Sequence, residues 1–87
     1  MEMWQLAARL AESEGYVVYD SDGRNVGHVE HLLYRDHADR PDFVIVRRRL
    51  LLVRTRLDRV PFEAVMDVDD EAGFVRLKIP ADDIVRG

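Results

Sequence analysis

Gly15-Tyr16-Val17-Val18-Tyr19-Asp20-Ser21-Asp22-Gly23-Arg24-Asn25-Val26-Gly27 reads as the start of a β-sheet. Tyr16 to Tyr19 are β-branched or aromatic, the side chains that suit a pleated, half-buried surface. Asp20-Ser21-Asp22-Gly23 supplies a tight reversal, because short polar side chains bond to their own backbone and glycine accepts a positive φ. A second strand then starts at Val26 and runs to Arg35, and Gly27 inside it predicts a bulge or a close approach of backbone.

Upstream of this hairpin, Met3, Leu6, Ala7, Leu10 and Ala11 follow the i, i+3, i+4, i+7, i+8 spacing of an amphipathic helix, with Gly15 as its stop. Residues 1–14 are therefore expected as an N-terminal helix and 15–87 as the main domain. Glu12 and Glu14 oppose the helix dipole, so the helix needs a surface to pack on. Downstream, Asp36 to Asp42 has loop chemistry, and Phe43 to Val46 forms a third strand. The triplet Arg47-Arg48-Arg49 is expected to separate it from a long strand, Leu50 to Leu57. Pro61 heads a short helical turn, Met66 to Val68 and Phe74 to Ile79 are two further strands about an acidic turn, and Pro80 to Ile84 forms a last turn. Six short strands with little helix predict an all-β fold, a small barrel or sandwich.

The order Gly15-Tyr16-Val17-Val18, Asp20-Ser21-Asp22-Gly23, Val26-Gly27-His28-Val29, an extended apolar strand and Val60-Pro61-Phe62-Glu63-Ala64-Val65 before an acidic hairpin resembles the PRC-barrel family. That fold is shared by the cytoplasmic domain of the photosynthetic reaction-centre H subunit and the C-terminal domain of the bacterial ribosome maturation factor RimM. The resemblance covers roughly residues 15 to 80. It implies a six-stranded barrel that binds protein surfaces and carries no family-wide catalytic residues. The matching Gly15, Gly23, Gly27 and Pro61 have structural roles under it, while the N-terminal helix, the leucine triplet and the arginine cluster depart from the pattern.

The remaining composition limits the chemistry. The 87 residues suffice for one domain, with 47% apolar and 34% charged side chains. The absence of cysteine removes disulfides, thiolate metal sites and a cysteine nucleophile, and fits a reducing compartment. Glu2, Gln5, Arg9 and Glu12 interrupt any signal-like stretch, and no window reaches the roughly 18 apolar residues of a membrane span. A soluble, cytoplasmic, bacterial-type module is expected. Net charge is −4, yet six arginines and one acid between Arg47 and Arg59 make a local +5 and leave −9 on the rest. The molecule should be electrically two-sided.

Candidate sites follow from these patterns. His28 and His31, three apart on a strand, are expected on opposite faces and so not to chelate one ion. Asp67, Asp69, Asp70 and Glu71 lack the spacing of a calcium loop. Ser13 and Ser21 sit in no nucleophile-elbow setting, and no Gly-rich loop leads from a strand into a helix. No catalytic residue, metal site or cofactor is expected, and the chain is read as no enzyme. Arg47, Arg48, Arg49, Arg54 and Arg56 form a candidate polar face for an acidic protein or, in an RNA- or ribosome-associated alternative, for phosphates. Alternation cannot send Leu50, Leu51 and Leu52 all inward. With Met3, Trp4, Leu6 and Leu10, therefore, Leu50 and Leu52 are candidates for an apolar interface with a second copy or a larger protein. The expected function is a non-catalytic protein-interaction or adaptor module that self-associates as a homodimer.

Overall fold

The computed structural model describes residues 2–51 and 54–86. Its elements are helix α1 (Met3–Leu10) and strands β1 (Val17–Tyr19), β2 (Asn25–Leu33), β3 (Phe43–Leu51), β4 (Arg54–Pro61), β5 (Val65–Asp69), β6 (Phe74–Leu77) and β7 (Val85–Arg86). Single 3₁₀ turns at Phe62–Ala64 and Ala81–Asp83 follow Pro61 and Pro80, whose fixed φ and missing N–H suit the head of a turn.

The strands form one sheet in the order β5-β6-β1-β2-β3-β4-β7, antiparallel except for the β1–β6 pair. The fold is thus mostly β with one short N-terminal helix. Beyond the six expected strands, a seventh of two residues joins the edge at β4, which no periodicity can reveal over so short a run. Among the described residues no strand pairing joins β5 to β7, so the sheet is not closed by hydrogen bonds. It nevertheless coils about one core, in which Val18, Val26, Val29, Val44, Val46, Val60, Val65, Val68, Val75 and Leu77 meet.

α1 packs on β5 and contributes Ala7 and Leu10 to that core. Leu10, expected at a surface for partners, is 0% exposed and belongs to the interior of its own chain. The physical reason is the apolar stripe itself, which finds cover on β5. The helix ends at Leu10 rather than near Gly15, because Ser13 returns both its backbone N–H and its hydroxyl to the Leu10 carbonyl.

Arg47-Arg48-Arg49 does not separate two strands. β3 runs unbroken through the triplet, and the chain reverses between Leu51 and Arg54, within what the sequence suggests is one long strand. Gly27 has φ of +131°, and a Cβ there would land on the Arg47 carbonyl oxygen, so the predicted close approach is present.

Candidate functional site

β3 and β4 outrun the rest of the sheet. β2 accompanies β3 only as far as the His28–Arg47 pair, and β7 accompanies β4 only at Asp58 and Arg59. Beyond those points the hairpin is a two-stranded arm carrying Arg48, Arg49, Arg54 and Arg56.

Residues facing each other across an antiparallel pair project to the same side. Val44 faces Val60 and Val46 faces Asp58 on the core side, so Arg48 and Arg56, the next such pair, project to that side as well. Asp58 is 0% exposed there. Arg48 Nη1 and Arg56 Nη2 donate to its Oδ2 at 3.2 Å and 3.1 Å. Arg56 Nε stands 2.8 Å from Oδ1, an ionic contact whose angle makes no hydrogen bond. A buried carboxylate needs such partners, and two guanidiniums supply them where the apolar core ends.

Arg47 and Arg49 project to the opposite, outer side, with Leu57 and Thr55 facing them on β4. Arg47 Nε lies 3.5 Å from Glu30 Oε2. Farther down this face Arg59 lies over the Phe43 ring, 5.2 Å from its centroid, beside the buried Ile45. Leu57 is 44% exposed. Arg49 and Arg54 are exposed, and among the described residues neither has an acidic partner. The five arginines therefore do not form one face. The alternation of a continuous strand divides them, and two are committed to Asp58.

Between the arm and the start of β2 lies an open cleft of about 500 Å³, lined by Asn25, Gly27, His28, Arg47, Arg48 and Arg49 among others. The two histidines also differ from expectation. The β2–β3 register shifts at Glu30, so His28 faces Arg47 and His31 faces Ile45, two residues apart on β3. Both imidazoles consequently project to the outer face, a consequence of the bulge that simple alternation misses. Among the described residues no cluster of three or more His, Asp or Glu side chains is placed to hold a metal ion.

Of the expected apolar interface, Met3 and Trp4 are exposed, Trp4 at 68%, while Leu6 is partly buried against the core. Leu52 lies outside the described residues, as does the Leu50 side chain. No helix among the described residues is long and apolar enough to cross a membrane.

Two carboxylates that sequence reading treated as plain turn residues organise the loops. Burial opposes the charge of Asp20, but its Oδ1 accepts the N–H of Asp22 and Arg24 and its Oδ2 that of Ala81. These bonds, with the nearby Arg24 guanidinium, hold the carboxyl below its ordinary pKa. Asp42 accepts the N–H of Arg35 and Asp36 at 2.6 Å and 2.8 Å and contacts His37 Nδ1 at 2.8 Å, and these bonds depress its carboxyl far below the usual range. The signal was an aspartate before or after a strand, a common position with many possible partners. Tyr16 is shifted the other way, upward, by desolvation and by the Asp70 carboxylate that its hydroxyl bonds at 3.3 Å.

This geometry defines a small β-domain coiled about one core, with a basic two-stranded arm projecting from it. The chain belongs to the PRC-barrel domain family, whose profile matches residues 7–84. Among solved structures, it is similar to the crystal structure of a protein from Pseudomonas aeruginosa described as a 16S ribosomal RNA processing protein, RimM. The identity is 28% and the TM-score 0.58, over 87% of this chain and 44% of that one. The chain thus spans less than half the length of that protein. A comparison with curated proteins returned no match.

Proposed function

We propose that the chain is a non-catalytic adaptor that docks on an acidic protein surface through the β3–β4 arm. The observation that carries this reading is the arm itself, which projects beyond the core and holds exposed Arg49 and Arg54 without acidic partners among the described residues. Membership of the PRC-barrel domain family supports it. On the same reading the sheet acts as a barrel, since Val65 and Val68 of the edge strand β5 and Ile84, next to the other edge strand β7, belong to one buried core. Exposed Met3 and Trp4 supply a second, apolar surface for self-association.

The test is recovery of partners from the source cell with wild type and with an Arg49→Glu/Arg54→Glu variant, before and after nuclease treatment. Proteins retained by wild type after nuclease and lost from the variant support the adaptor. Equal recovery by both chains refutes it. A second reading, an RNA- or ribosome-associated module, is favoured by the likeness to a protein described as a 16S ribosomal RNA processing protein. Recovery that nuclease abolishes selects that reading, and the RNA binding should then fall steeply with salt.

A further inference from the structure

We propose that the free edge of β3, from Arg48 to Leu51, receives an extended acidic peptide as an added strand. This rests on the adaptor reading and names the kind of partner it takes. β2 leaves β3 after the His28–Arg47 pair, while β3 continues for four more residues. Gly27, the next residue back along β2, has a φ of +131° and still lies against the backbone of Arg47 and Arg48, so it marks the place where the paired edge ends. Beyond that point alternate N–H and C=O groups of β3 turn to the side β2 has left, as far as the irregularity in the β3–β4 register between Arg49 and Leu51, and among the described residues no strand pairs with them. Such a row of unpaired groups is a template for another strand. The cleft of about 500 Å³ lies along this edge, so there is room for a backbone.

The charges say which backbone. Arg49 and Arg54 are exposed on the arm, and Arg47 and Arg49 line the cleft, so a second arm of the same sequence is repelled and an acidic segment is attracted. Nucleic acid fits less well, because its affinity depends on the number of free cations. Arg48 and Arg56 are already committed to Asp58, and Arg47 to Glu30. A peptide uses the backbone edge as well as the charges, whereas a phosphate chain uses the charges alone.

The probe is a fluorescein-labelled octapeptide of alternating glutamate and valine, titrated with the full chain by fluorescence anisotropy at low salt. Its counterpart N-methylated throughout the backbone keeps the charge and loses the donors, and an oligouridylate of equal length supplies phosphates. The parent peptide is expected to bind, and N-methylation to weaken it at least about tenfold, equivalent to roughly 1.4 kcal/mol. Arg49→Glu/Arg54→Glu should weaken the parent peptide similarly while its thermal unfolding stays that of wild type, both residues being exposed. No binding of the parent peptide, equal binding of the N-methylated one, or tighter binding of the oligouridylate each overturns the proposal. Strand addition fails alone if the methylated peptide binds equally while partner recovery still depends on the two arginines. The adaptor reading fails if that recovery does not depend on them.

Discussion

Asp20 and Asp42 sit at the two ends of β2, and each converts a loop into a fixed turn by accepting backbone N–H groups. Both carboxyls have a lower pKa in the folded chain than in an unfolded one. The folded state therefore gives up these protons more readily, and the stabilisation is complete above the unfolded value of roughly 4. It is lost as pH falls below that value toward the folded ones. The urea midpoint should accordingly stay flat from about pH 7 to about pH 5 and decline below about pH 4. Asp42→Asn should lower the midpoint at neutral pH and make the acid decline shallower. A different residue-scale limit holds at the glycines. Gly27→Ala combines a positive φ with a Cβ on the Arg47 carbonyl, while Gly23→Ala meets only the φ cost, since no atom lies within 4 Å of its added Cβ. Urea unfolding should show Gly23→Ala losing about 1 kcal/mol and Gly27→Ala distinctly more, about 3 kcal/mol.

At the scale of elements, the β3–β4 hairpin holds the main contrast between sequence and structure. β1, β2, β5, β6 and both proline-headed turns were legible, because each is bounded by glycine, proline or aspartate chemistry close in sequence. The reversal after Leu51 was not, since Leu50-Leu51-Leu52-Val53 has no turn residue and reads as strand interior. The side each arginine takes depends on that reversal, and so did the candidate face. The bulge at Glu30 was equally silent, as no glycine or proline marks it, and it alone decides where His31 points. Asp58 illustrates the same dependence: in sequence it is one acid among six arginines, yet pairing places it opposite Val46 with Arg48 and Arg56 both donating to its Oδ2. Removing it leaves two guanidiniums facing each other at the mouth of the core. Asp58→Ala should cost about 3 kcal/mol by urea unfolding, whereas exposed Arg49→Ala should stay within about 0.5 kcal/mol.

For the whole molecule, the question is what the helix covers. A domain of 87 residues buries only roughly 60–65% of its unfolded surface, so every apolar contact counts toward a small margin. The two faces of α1 answer to different tests. Leu10 is wholly inside, beside Ala7 on β5, and its role is to complete the core. Trp4, six residues earlier, stands 68% exposed with Met3 on the outside of the same helix. Leu10→Ala opens a cavity that a coiled sheet closes only partly, and about 3 kcal/mol of unfolding free energy should be lost with the solution mass unchanged. Trp4→Ser deletes no buried contact and should leave the unfolding free energy within about 0.5 kcal/mol at concentrations where the chain is a monomer. If the exposed end of α1 pairs copies of the chain, the same substitution lowers the mass measured by light scattering at high concentration. A mass equal to one chain in wild type and variant alike would reserve Met3 and Trp4 for a heterologous partner.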